Sequence, residues 1–267
     1  MSNADGSKIQ KGDTFEWGNL MKIFDAHLHI IDPKFPLYEN QGFLPEPFTT
    51  EDYLQHVNTV DLVGGAIVSG SFQKFDQTYL LDALQKLGKN FVGITQLPYD
   101  TSDEEIIELN KHGVRGLRFN VNRGGSEDIR RLDYFAKRVY ELANWHTELY
   151  INSKELPAIK PIIAQLPAVS IDHLGLSKEG FPHLLALVEM GVRVKATGFG
   201  RIDFDPVEAM KNIYKVNPDA LMFGTDLPST RAKRPFRFSD IELIQEHFDD
   251  KAVKKILYQN AMEWYCK

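Results

Sequence analysis

Short apolar or β-branched runs alternate along the chain with stretches in which apolar residues recur every three or four positions. The short runs are Ile23–His29, Gly65–Ser69, Phe91–Leu97, Val114–Asn120, Glu148–Asn152, Val169–His173, Val192–Thr197 and Leu221–Asp226. Their length and their Val, Ile and Phe content predict strands. The helical spacing falls between them, over Asp76–Leu87, Asp103–Lys111, Asp128–Asn144, Pro182–Met190 and Pro206–Val216. Several of these stretches open on Asp, Ser or Pro, which suit a cap or a first turn. A basic loop follows the last run, then helical patterns near Asp240–Phe248 and Lys251–Trp264. Eight strands alternating with helices predict an α/β chain closed into a single-domain (β/α)8 TIM barrel over residues 21–267, close to the roughly 250 residues such a barrel takes. A doubly wound open sheet is the alternative, disfavoured because no GxGxxG follows the first strand. Residues 1–20 carry no such pattern and read as an N-terminal extension, disordered or tag-derived, Ser2-Asn3-Ala4 resembling a cloning scar.

Composition narrows the picture a little. Hydrophobic residues make up 43% of the chain, enough for one large core. A formal net charge of −6 argues against a nucleic-acid partner, which would call for a basic face. The single cysteine, Cys266, cannot form an intrachain disulfide and stands beside no base in sequence, so a reducing compartment and an inert thiol are expected. There is no signal-like apolar run and no stretch of about 20 apolar residues, so cytoplasm is the expectation, without a membrane partner. The pattern is silent on oligomeric state.

In such barrels chemistry gathers at the C-terminal ends of the strands. The first strand ends Asp25-Ala26-His27-Leu28-His29, and strict alternation would put Asp25, His27 and His29 on one face. The sixth ends Asp172-His173 and the eighth Thr225-Asp226. Together they bring three imidazoles and a carboxylate to one mouth. Buried histidines satisfied by neighbours are the bland alternative. Histidines 56, 112, 183 and 247 fall on helices, where exposure is expected.

His-x-His on strand one, His on strand six and Asp on strand eight resemble the amidohydrolase superfamily of metal-dependent-hydrolase barrels, as do Phe24–His29 and Gly224–Pro228. The stretch Arg115–Asn120 and the run Trp145–Asn152 look most like its branch of 2-pyrone-4,6-dicarboxylate lactonases and sugar lactonases. That resemblance implies a hydrolase opening a small, carboxylated lactone or related ester, with Asp226 as general base and His27, His29 and His173 polarising the carbonyl. Arg118, Arg123 and Arg231, with Tyr150 and Asn152, are the expected grip on an anionic substrate, because guanidinium pairs bidentately with carboxylate. Arg201 and the basic stretch Lys233, Arg234 and Arg237 are weaker candidates.

Two readings of the cofactor stay open. Strand five has Tyr150 and Asn152 where metal-binding members carry His, and strand four has Arg118, a charge that repels a dication. These favour a metal-free site and exclude a two-metal one. If a single zinc or manganese is bound instead, its ligands are His27, His29 and Asp226, and the alternative function is a metal-dependent amidohydrolase or a decarboxylase of a small organic acid.

Overall fold

The computed structural model describes residues 21–266. Its strands are β1 (Lys22–Leu28), β2 (Asp61–Val68), β3 (Phe91–Thr95), β4 (Val114–Asn120), β5 (His146–Tyr150), β6 (Val169–Ile171), β7 (Arg193–Ala196) and β8 (Leu221–Phe223). They form one sheet in the order β1 to β8, each pairing in parallel with the next. Between them run α1 (Thr50–His56), α2 (Thr78–Leu87), α3 (Asp103–Lys111), α4 (Leu132–Ala143), α5 (Leu156–Ile163), α6 (Phe181–Glu189) and α7 (Pro206–Val216). The chain ends with α8 (Ser239–His247), α9 (Asp250–Lys254), a π-helical turn (Lys255–Gln259) and α10 (Asn260–Tyr265). Eight parallel strands ringed by helices make the expected barrel. Past the end of β8 the backbone completes the ring, Asp226 N donating to His27 O at 2.7 Å and His29 N to Leu227 O at 2.8 Å.

The helices form where composition says they should. In α4, Leu132, Phe135, Ala136 and Val139 are all buried, a stripe at three-and-four spacing. Ser102 caps α3 by accepting from Glu105 N, and three acids in the first turn favour its positive end. Asp205 caps α7 with Pro206 at the first turn. The larger apolar cluster lies between the sheet and the helices. A smaller one, Phe24, Ala26, Val68, Ile94 and Met222 among its members, fills the barrel and is plugged by Tyr265, stacked on Phe24 at 5.5 Å.

Several departures from the expected pattern bear on the site or on the chain's end. In β1 the register advances three residues from Asp25 to Leu28 against two on β2, from Gly65 to Ile67. This bulge breaks the alternation. Asp25 therefore does not share the face of His27 and His29. Its carboxylate turns to the helix layer, where it accepts from Tyr53 OH of α1 at 3.0 Å and from Thr225 N and Oγ1 at 2.8 and 2.6 Å. Next, β6 and β8 stop earlier than expected. His173 and Asp226 have φ of 51° and 59°, in the left-handed region that an extended strand cannot use. Finally, the expected Lys251–Trp264 helix is divided by the π turn. The expectation for residues 1–20 lies outside the described residues, and no helix among those described is long and apolar enough to cross a membrane.

Candidate active site

Asp226, at the turn after β8, is 1% exposed. Its Oδ2 accepts from Arg201 Nε at 2.7 Å, while Oδ1 has no partner among the protein's own groups. That free oxygen lies 3.6 Å from His29 Nε2 and 3.8 Å from His27 Nε2. Burial alone would raise the Asp226 carboxyl, but Arg201, then His173 and His29, hold it well below the usual carboxylate range. The group is a carboxylate at neutral pH. Its positive φ is tolerated because Asp, with its short polar side chain, visits this region more readily than most residues.

His27 and His29 flank this oxygen, and His173 packs against His27. His27 and His29 meet edge to face with ring centroids 5.0 Å apart, and His27 and His173 with centroids 4.9 Å apart. His29 Nδ1 is 2.7 Å from Val68 O. A carbonyl only accepts, so Nδ1 carries a proton, and Nε2 is the nitrogen that faces Asp226. Burial, with the charge of Lys195 second, pushes His27 well below 6.5, and burial does the same to His173. Both rings are neutral at pH 7. His27 Nε2 and His173 Nδ1 are buried and without a protein partner, as Asp226 Oδ1 is. Such atoms are rare in folded proteins, and three of them close together leave room for a water or ligand atom between them.

Gly224 fits this packing through its lack of a side chain. A Cβ there would come 2.6 Å from His27 N and 2.7 Å from His27 Cβ. Gly224→Ala should shift His27, costing about 1–3 kcal/mol of stability by overpacking. Because a misplacement near 1 Å can cost on the order of 10² in rate, kcat/KM should fall at least about tenfold, measured by steady-state kinetics beside a denaturant melt.

Above the histidines opens a small pocket, lined by Arg118, Arg123, Arg201 and Arg231 as well as His29, His173 and Tyr150. Arg118 is committed to the protein. It donates to Asp172 Oδ2 through Nε at 3.3 Å and Nη2 at 2.9 Å, and to Ser69 O through Nη1 at 2.8 Å. Arg231 is steadied at the rim by Asn40 Oδ1 at 3.1 Å, Ser71 Oγ at 2.9 Å and the Phe43 ring. The Arg123 guanidinium is held more loosely, by a 3.5 Å contact to Gln41.

Of the residues expected from sequence, His29, His173, Arg118, Arg123, Arg231 and Tyr150 line this mouth, and Asp226 and His27 are buried against His29. Asn152 is not among them. It caps the short helical turn after β5, accepting from Lys154 N at 3.0 Å, and does not line the cavity. Lys233, Arg234 and Arg237 do not line it either, and Arg234 is paired with Asp240 at 2.8 Å. Arg201, a minor candidate in the sequence, holds the carboxylate directly. Histidines 56, 112, 183 and 247 are exposed, as expected.

Beneath lies a charged layer with no counterpart among the residues expected from sequence. Lys195 of β7 and Glu148 of β5 are wholly buried and in contact, with Asp172 Oδ1 3.8 Å from Lys195 Nζ. Burial would raise Glu148, but Lys195 and His146 bring it down to about 2. The available signal was a charged residue in the middle of each of two barrel strands, where an ion needs an opposite partner. Among the described residues two groups could hold a metal ion, His27 with His29 and Asp226, and His27 with Asp172 and His173.

The amidohydrolase family model matches residues 24–266. A 4-sulfomuconolactone hydrolase of Rhizobium radiobacter is 26% identical, over 89% of this chain and 87% of that protein. A 2-pyrone-4,6-dicarboxylate hydrolase of Comamonas testosteroni is 24% identical, over 78% of this chain and 77% of its own length. Among solved structures, a probable 2-pyrone-4,6-dicarboxylic acid hydrolase from Acinetobacter baumannii with citric acid bound superposes with a TM-score of 0.80 at 22% identity, covering 92% of this chain and all of that one. The barrel, the buried carboxylate ringed by histidines and the match along nearly the whole length agree: the chain is a hydrolase and belongs to the amidohydrolase family.

Proposed function

We propose that this enzyme hydrolyses a small lactone bearing at least one anionic group, using its own side chains as the catalytic machinery. The observation that carries the reading is the unpartnered Asp226 Oδ1, a buried carboxylate oxygen among three imidazoles beneath a cavity reached by four arginines. The relatives named as hydrolases of 4-sulfomuconolactone and 2-pyrone-4,6-dicarboxylate support a lactone that carries acid groups.

The roles divide by hydrogen-bond chemistry. Asp226 Oδ1 and the His29 Nε2 lone pair are two acceptors 3.6 Å apart, a cradle for the two O–H bonds of one water. Asp226 takes one proton as the oxygen attacks the lactone carbonyl carbon. In this reading His29 serves the water in place of the carbonyl. His27, with its proton on Nε2, donates to the carbonyl oxygen as it becomes negative, and His173 stands beside it. One such donor is worth about 3 kcal/mol. The ring C–O bond then breaks, and the leaving oxygen receives the proton held by Asp226. The products balance as lactone plus water giving the ring-opened hydroxy acid.

A divalent ion suits this donor set poorly. His29 Nε2 and Asp226 Oδ1 could serve as ligands, but Arg201 already neutralises Asp226, and Lys195 and Arg118 stand within the same buried cluster. Asp226, Asp172 and Glu148 each already have a cationic partner in Arg201, Arg118 and Lys195, so the cluster holds none of the surplus negative charge that ordinarily attracts a dication. No step above passes through a metal.

The arginines give the test. On a panel of carboxylated lactones and their methyl esters, followed by acid release in a pH-stat, the free acids should be opened with kcat/KM at least about tenfold higher, because losing one charged contact costs about 1.5–3 kcal/mol. Equal turnover of acid and ester would remove the anionic-substrate reading, and no turnover of any lactone would remove the reaction.

A further inference from the structure

One buried cation takes no part in the chemistry above. Lys195 is 0% exposed and does not line the mouth cavity. Its Nζ contacts Glu148 Oε2 and lies 3.2 Å from His27 Nδ1. Glu148 is fixed in turn, its Oε1 accepting from Tyr265 OH at 2.7 Å and lying 2.9 Å from His146 Nε2. The ammonium is therefore anchored at the barrel's centre with a donor left for the underside of His27.

The chemistry of that contact has one direction. An ammonium donates and cannot accept, so His27 Nδ1 accepts from it. The rival partner for Nδ1 is Asp172 Oδ1, which would demand a proton there, but it lies 3.6 Å away, beyond hydrogen-bond reach. An imidazole whose Nδ1 accepts can carry its ring proton only on the other nitrogen. With Nδ1 accepting, that proton sits on Nε2, the nitrogen that faces Asp226 Oδ1 at 3.8 Å and has no protein partner.

We propose that Lys195 is a positioning residue that, by donating to His27 Nδ1, fixes His27 as the Nε2–H tautomer able to polarise the lactone carbonyl. The proposal rests on the reaction read above and assigns Lys195 no contact with substrate. It deepens the metal argument too, since a proton on Nε2 occupies the lone pair that a metal ligand would offer. In many metal-binding histidines the other ring nitrogen donates to a carboxylate or carbonyl, and here an ammonium reverses that arrangement.

The tautomer itself is measurable. In protein labelled with 15N-histidine, long-range proton–nitrogen correlation spectra distinguish protonated from bare ring nitrogens, and the His27 signals are those that vanish in His27→Gln. The expected result is a proton on Nε2 in the wild-type enzyme and a shift towards Nδ1–H in Lys195→Met. On a carboxylated lactone, Lys195→Met should lose about 10²- to 10⁴-fold in kcat, the scale of a misplaced catalytic tautomer, with Lys195→Arg recovering part of it. KM should move by less than about threefold, since the interaction lost is one made in the transition state. A wild-type His27 protonated on Nδ1 overturns the proposal, and so does a Lys195→Met enzyme that keeps both tautomer and kcat. Should Lys195→Met fail to fold, the wild-type spectrum still decides the tautomer, and Glu148→Gln, which loosens the anchor while keeping its shape, decides the kinetic half. An Nε2–H signal in a protein that opens no lactone upholds the Lys195 contact and overturns the reaction reading instead.

Discussion

Asp226→Asn is expected to lower kcat on a carboxylated lactone by about 10³- to 10⁴-fold, the upper part of the range for losing a general base. The amide keeps the shape and can still accept from Arg201 Nε, now 2.7 Å from Asp226 Oδ2, so the site should stay assembled. What it loses is basicity: an amide oxygen does not take a proton from water near neutral pH. A loss of 10³ corresponds to about 4 kcal/mol in the barrier. KM should change little, because the arginines at the cavity, the proposed grip on the anionic part of the substrate, remain in place. The same variant tests a purely binding role. A barrel that only captures small acids would bind them as well after the substitution, whereas for a hydrolase turnover collapses while product-acid binding, followed by calorimetry, survives.

The second large effect is on stability. Arg118 and Asp172 are 2% and 0% exposed and joined by two hydrogen bonds. Arg118→Met leaves the Asp172 carboxylate buried, with Lys195 3.8 Å away as its nearest remaining cation and Glu148 beside it as a like charge. Removing one partner of such a pair costs about 3–5 kcal/mol, whereas replacing both with apolar groups can be near neutral. Denaturant unfolding should therefore show Arg118→Met destabilised by that amount and the double variant Arg118→Met/Asp172→Leu recovering most of it. A double variant whose loss equals the sum of the single losses would mean that the two groups do not act as a pair.

Much of this was legible in the sequence because its signals are periodic. β4, α3 and α7 match the expected spans, since their apolar spacing and caps are unambiguous. The strand-end His and Asp residues could be read because barrels gather chemistry there. What escaped was set by geometry beyond pattern. The β1 bulge turns Asp25 away from the mouth, and nothing in Phe24–Leu28 announces an extra residue. α5, absent from the expected helical stretches, carries Pro157 in its first turn, where a helix tolerates it, and Pro161 within. Asn152 follows Tyr150 at strand spacing, but β5 ends at Tyr150 and the chain turns into a cap. The Glu148–Lys195 pair joins residues 47 positions apart, a pairing that only barrel closure creates.

The most direct test of the central claim, hydrolysis of an anionic lactone by side chains alone, is turnover after exhaustive chelation. The enzyme is dialysed against a strong chelator, residual zinc and manganese are quantified by elemental analysis, and acid release from a carboxylated lactone is recorded. The expected result is an unchanged kcat at far less than one metal per chain, with no gain on adding either ion. Loss of turnover on chelation, restored by one equivalent of zinc or manganese, would contradict the claim and make His27, His29 and Asp226 ligands.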